Sequence, residues 1–212
     1  RNIYKLFNEL KASQDWRYQH TIGLTMMSTL LGRWLELEED ELSMLSLAAS
    51  LCDIGMVKLP SSLLQKTTRL DVNEMEIMKQ HTTLGYELLQ ESDVDPRVAL
   101  VALQHHERED GSGYPSGLKG SEVDRLSKVV ALADVYVEMT SDRPERPGLP
   151  FYEAINQLHD QILGNRFDSS IGMTFLNRMM TSQIGSDVIL SDGRSGKIVL
   201  INANYPARPL VA

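Results

Sequence analysis

Trp16, His20, Gly23, Met27, Leu30, Leu31 and Trp34 recur at helical spacing and share one face of a helix, so an imidazole is built into a stripe meant for burial. The pattern repeats at His81, which shares a face with Ile77, Leu84 and Leu88. Two carboxylates raise the same difficulty. Asp134 sits in "VVALADVYV" with Val130 and Val137 on its own face, and Asp53 closes the apolar run "LSLAASLC". A fold that buries these faces must give each carboxylate a cation, a proton or a hydrogen-bonding cap, because a lone buried charge costs several kcal/mol or more. For one Asp taken singly, a helix cap or a buried ion pair is sufficient.

Helical periodicity extends from the first residues to about Met180, which predicts an all-α body. A helix is expected over Asp40 to Cys52. Another begins at Asp71, where Asp71 and Glu74 have capping-box spacing, and continues through Ile77, His81, Leu84 and Leu88. Asp95-Pro96 opens a helix that runs to the pair His105-His106, Ser121 to Thr140 forms the next, and Pro150 and Asp168 introduce two more. "TSDRPERPGLP" is too rich in proline to be helical and is expected to be a loop. After Ile184 the period changes: "DVILSDGRSGKIVLI" reads as a β-hairpin about Asp192-Gly193, and "NYPARPLV" as an extended tail. The expected organisation is one helical domain, 1–183, with a small hairpin and tail, 184–212. A chain of 212 residues with 42% hydrophobic content can bury such a core.

"QHHEREDGSGYPSG" places two adjacent imidazoles at a helix end, followed by Gly111 and Gly113 where the chain turns sharply. The pair either caps helix carbonyls or binds a metal. Taken together, four histidines (His20, His81, His105, His106) and two carboxylates on different helices form a typical metal constellation of a helical bundle, whereas His159 reads as an ordinary surface residue. Imidazole with carboxylate favours Fe, Mn or Zn over Mg or Ca, and a carboxylate bridging two ions suits activation of a water for attack on phosphorus. The net charge of -8 and pI near 5.1 exclude wrapping of long nucleic acid but leave room for a small phosphate ester. One cysteine, Cys52, excludes an internal disulfide and fits a reducing compartment. No apolar run is long enough to span a bilayer.

In order along the chain, His20, "CDIGM", "MKQHTTLGYELL", "HHEREDGSGYP" and "ALADVYVEMTSDRP" resemble the HD-GYP family of HD-domain metal-dependent phosphohydrolases, over nearly the whole sequence. The resemblance implies an HD-domain helical bundle and hydrolysis of cyclic di-GMP, a bacterial second messenger, by two or three metal ions. It implies one ion on His20, position 52, Asp53 and Asp134, and another on Asp53, His81, His105 and His106, with Asp53 as the catalytic bridge. Fe or Mn, or else Zn, is expected, one or two ions per chain. Gly113, Tyr114 and Pro115 would shape the loop beside the substrate, and Arg143 would contact a phosphate or remain an exposed loop charge.

Three departures bear on activity. Cys52 replaces the motif histidine, Met56 the motif lysine, and Trp16 stands where some members have a glutamate for a third ion. Cys52 is either a thiolate ligand or a small buried thiol. Met56 lacks the cation that would steady a phosphate or the nucleophilic water, so turnover should fall. The resemblance and its departures are compatible with a cyclic di-GMP phosphodiesterase of reduced activity, an inactive relative that binds metal or cyclic di-GMP and signals through protein partners, and a phosphohydrolase of another nucleotide. A bacterial cytoplasmic location is expected, with the chain as the C-terminal module of a longer signalling protein.

Overall fold

The computed structural model describes residues 16–143, 146–190, 192–202, 205, 206 and 208–212, so the helical start expected over the first fifteen residues lies outside them. The body is helical: α1 (Trp16–Trp34), α2 (Glu39–Leu51), the short α3 (Ser61–Leu64), α4 (Val72–Lys79), α5 (His81–Gln90), α6 (Pro96–Gln104), α7 (Arg125–Thr140), α8 (Phe151–Leu163) and α9 (Ser169–Thr181). Two 3-10 turns, Ile54–Lys58 and Gly120–Glu122, interrupt the connections. No helix among the described residues is long and apolar enough to cross a membrane.

α7 is the central element because its sequence is apolar nearly all round. Leu126, Val129, Val130, Leu132, Ala133, Tyr136 and Val137 are all buried. α1 packs along α2 and α7, α6 lies against α2, α5 and α7, and α8 and α9 close the far side. Each fully buried leucine here, such as Leu24, Leu31 or Leu132, contributes roughly 1.5–3 kcal/mol, so packing rather than intrinsic propensity holds helices of this length.

Side-chain caps account for four of the helix starts. Asp71 and Glu74 form the reciprocal capping box, and Asp95 accepts from the Arg97 amide ahead of Pro96. Asp124 and Asp168 accept from the Leu126 and Ile171 amides. This moves the start of α7 four residues beyond the expected Ser121, because Asp124 supplies the cap and a 3-10 turn precedes it. The helix expected to run on from Asp71 through His81 is in fact two, α4 and α5, meeting at Gln80. At the break, the Met78 carbonyl receives the His81 imidazole Nδ1 at 2.7 Å. The break also reorients α4, which buries none of its residues and leaves Ile77 exposed.

The C-terminal part forms an antiparallel sheet in the order β1 (Asp187–Ile189), β2 (Ser195–Leu200), β3 (Leu210–Val211). The hairpin turns at Gly193, whose φ of 86° is open to glycine at no steric cost. The tail is not merely extended, since Leu210 and Val211 return to pair with Leu200 and Ile198. Ile201 packs against the helical core.

Candidate metal centre

Four elements bring the polar residues together. His20 comes from the buried face of α1, Asp134 from α7, Asp53 from the bend after α2, and His81 from the first turn of α5. His105 and His106 follow the end of α6. Gly55 sets the approach of two of these elements, because a Cβ there would overlap the His81 carbonyl and the Gly85 amide. The turn after Asp53 can therefore lie directly on α5, and the Asp53 carboxylate faces the His81 ring.

Three acceptor atoms converge on this spot. His81 Nε2 lies 3.3 Å from Asp53 Oδ1, His105 Nε2 lies 3.6 Å from the same oxygen, and the two Nε2 atoms are 3.4 Å apart. Each ring spends its Nδ1 on a backbone carbonyl, His81 on Met78 at 2.7 Å and His105 on Ala102 at 2.9 Å. A carbonyl can only accept, so Nδ1 carries the proton and, in the neutral ring, Nε2 presents a bare lone pair. With both rings neutral, two lone pairs and a carboxylate oxygen point at one another with nothing donating between them, so a proton or a metal ion must bridge them. The separations are too long for charge-assisted hydrogen bonds; two of them match donors sharing one ion, since two atoms each ~2.1 Å from a metal lie about 3.0–3.4 Å apart at octahedral to tetrahedral angles, and the 3.6 Å separation is slightly wider. With His106 added, the four donor atoms all lie within 4.8 Å of one another. The donor set fits a transition metal, and the carbonyl-held Nδ1 atoms supply the usual outer support of such ligands.

On the other side of Asp53, His20 Nε2 lies 2.9 Å from Asp134 Oδ1 and 4.0 Å from Asp53 Oδ2. His106 Nδ1 is 3.8 Å from Asp134 Oδ2. Cys52 is buried in the apolar core, its Sγ donates to the Ala49 carbonyl at 3.4 Å, and it is outside the close donor group. Burial, reinforced by the charges of Asp53 and Asp134, pushes the Cys52 thiol well above its ordinary value.

The charge states suit ligation. Burial raises the Asp53 carboxyl, but His105, His81 and His20 outweigh it and hold the group well below the usual carboxylate range. Asp134 is likewise raised by burial, then brought down to about 2 by its hydrogen bond to His20 and by the charges of His20 and His106. Burial and repulsion from His105 lower both His81 and His106. Burial lowers His20 too, yet Asp134 and Asp53 more than reverse this and leave it raised.

The glycine-rich loop folds back over the centre. Gly113 lies against the backbone of residues 106–108, where a Cβ would overlap the His106 carbonyl and Glu107 Cα, and the Tyr114 amide donates to the His106 carbonyl at 3.2 Å. The Tyr114 ring then stacks on His106, centroids 4.7 Å apart and planes 24° apart, while Pro115 is exposed. Arg143 is partly buried rather than an exposed loop charge. Its guanidinium lies 4.9 Å from the Trp16 ring and 3.5 Å from Glu138, so the tryptophan seats this arginine at the rim. Met56 is half-buried in the turn after Asp53, and His159, expected at the surface, is half-buried beside Asp160.

One residue of the site escaped the sequence reading. Glu107, 2% exposed, accepts from the Ser116 amide at 2.8 Å and the Leu118 amide at 3.0 Å. It lies in the run "EREDG", which resembles a solvated acidic stretch, and only its place directly after the histidine pair signalled otherwise.

Comparison with known proteins bears on the same residues. A family profile described as HD domain matches residues 5–171. A cyclic di-GMP phosphodiesterase of Pseudomonas aeruginosa, PA4108, is 32% identical over 191 residues, covering 90% of this chain and 46% of that protein. The cyclic di-GMP phosphodiesterase response regulator RpfG of Xanthomonas campestris is 39% identical over 154 residues, covering 72% of this chain and 39% of that protein. The chain thus spans less than half the length of these two relatives. Among solved structures, the HDG"Y"P protein Bd1817 from Bdellovibrio bacteriovorus superposes with a TM-score of 0.62 at 23% identity, covering 74% of this chain and 50% of that one.

Proposed function

The chain belongs to the HD domain family, in its HD-GYP branch, and from that premise we propose that it is a metal-dependent phosphodiesterase of cyclic dinucleotides, with cyclic di-GMP as substrate. The observation that carries the reading is the convergence of the Nε2 atoms of His81 and His105 on Asp53 Oδ1. Fe or Mn suits this donor set best, with Zn next. His81, His105, His106 and Asp53 would hold one ion. Asp53 presents its other oxygen toward His20 and Asp134, which would share a second. When bound, such ions supply Lewis acidity toward a phosphodiester and acidify a water at neutral pH.

The chain's own residues do the rest. Asp53 remains ionised and orients both sides of the centre, and Arg143, seated on Trp16, offers a fork of donors to a phosphate. The loop carrying Gly113, Tyr114 and Pro115 walls the centre on the His106 side. Met56 brings no cation to the turn, so turnover is slow. The bacterial cytoplasm is the compartment we propose, and the relatives' greater length leaves room for signalling partners beyond this chain.

A second reading, a receptor that binds without turnover, is favoured by the position of Cys52 in the core, which leaves the His20 side short of a donor. Protein purified without oxygen and loaded with Mn or Fe separates the two. Calorimetric binding and product formation are compared in one sample, across cyclic di-GMP and other cyclic dinucleotides. Product with cyclic di-GMP supports the enzyme. Tight binding with no product, even after Cys52→His and Met56→Lys, supports the receptor, and neither binding nor product removes both.

A further inference from the structure

We propose that Glu107 is a positioning residue that orients the metal-facing ring of His106 by holding Tyr114 against it; this rests on the metal centre proposed above. His81 and His105 have their rings fixed by backbone carbonyls at Nδ1. Among the described residues no carbonyl does this for His106. Its Nδ1 is 3.8 Å from Asp134, too far for a directing hydrogen bond, and its ring is positioned by packing, against His105 at 4.1 Å, His81 at 5.2 Å and Tyr114 at 4.7 Å. Of these three neighbours, the two histidines belong to the same donor group. Tyr114 alone comes from outside it, so Tyr114 takes the place of the missing carbonyl.

What fixes Tyr114 lies mostly on its far side. Its amide bonds weakly to His106, and Lys79 Nζ lies 5.5 Å from its outer face while engaged with Glu76. The strong anchor is two and four residues on, where Glu107 accepts both the Ser116 and Leu118 amides. A carboxylate has two oxygens and no donor, so it can hold two amides at once, while glutamine can accept with only one oxygen and presents an NH2 to the other amide. Glu107 is also the residue next to His106, so the latch closes a short ring running from His106 through Glu107, the loop and Tyr114 back to His106. Opening it lets Tyr114 leave and the imidazole turn.

Partners that orient a metal ligand from outside typically matter about 10–100-fold in metal affinity, which sets the expected scale. The probe is Mn ion alone, titrated without nucleotide and followed by the paramagnetic resonance of free Mn. Glu107→Ala should weaken Mn binding about tenfold, and Glu107→Gln by less, with helical content unchanged. Tyr114→Leu, which keeps Glu107 but removes the stack, should give a similar loss, and the double variant should be no weaker than the worse single, as residues acting in one chain of contacts do. Wild-type Mn affinity in folded Glu107→Gln and Glu107→Ala, or additive losses in the double variant, would overturn the proposal. If Glu107→Ala does not fold, Glu107→Gln with Tyr114→Leu decides alone. An unchanged protein that binds no Mn would instead refute the metal centre, and the positioning role with it.

Discussion

On one side of Asp53, His81 and His105 turn their Nε2 atoms toward the carboxylate, and each ring is fixed from behind by a carbonyl. On the other side, His20 Nε2 already meets Asp134 at 2.9 Å, although the buried His20 Nδ1 has no partner among the described residues, and Cys52 is buried within the core. The first side is hard to account for without a cation. The second has a partial internal solution, an ion pair that stands by itself. In the proposed binuclear centre, the departure from the family pattern falls on one side only. Cys52 belongs to the buried core as a small apolar residue and bonds to the Ala49 carbonyl, so the helix that delivers Asp53 need not shift for a cysteine in place of the motif imidazole.

This contrast gives measurable consequences. Removing a ligand from the complete side has the largest expected effect: His105→Ala should abolish turnover in metal-loaded protein and strip the ion that His81 and Asp53 share. Activity surviving in that variant would place the chemistry elsewhere. Restoring the incomplete side should act in the opposite direction. Cys52→His with Met56→Lys is expected to raise cyclic di-GMP cleavage by ~10²–10³, the usual scale of one missing electrostatic contact, in initial-rate assays at saturating Mn. An unchanged rate would mean that neither departure limits the reaction.

Arg143 sharpens the comparison from the substrate side. Arg143→Ala should raise KM about tenfold, the equivalent of one charge-assisted contact, and alter metal content little, because Arg143 is bound to Trp16 and Glu138 rather than to the donors. An equal fall in metal content would instead make it part of the centre. The smallest effect is on stoichiometry. Cys52→His alone should raise the metal-to-protein ratio, or its retention against chelator, measured by elemental analysis. No change in either would mean that position 52 serves packing only.

Much of this site was legible in the sequence because periodicity reports which face of a helix is buried. His20 and His81 stood out as polar groups on apolar faces, and Asp134 as a carboxylate within a valine-rich run. The caps at Asp71, Asp95 and Asp168 were legible for a similar reason, since they act on amides only a few residues away. What was hidden depends on contacts between separate segments. The break at Gln80 accompanies a side chain bonding to a carbonyl, which no residue preference at position 80 announces. Glu107 looks solvated until the loop ten residues on folds back over it. Spacing alone left Cys52 open between ligand and core, a choice that depends on the surroundings its thiol meets after α2 ends.

Anomalous diffraction from crystals grown with Mn decides whether the space between Asp53, His81 and His105 belongs to a transition metal. A peak is expected about 2.0–2.3 Å from Asp53 Oδ1 and from both Nε2 atoms, the range for imidazole and carboxylate ligands. Imidazoles turned apart or bonded only to protein groups, with no peak between them at saturating Mn, would contradict it.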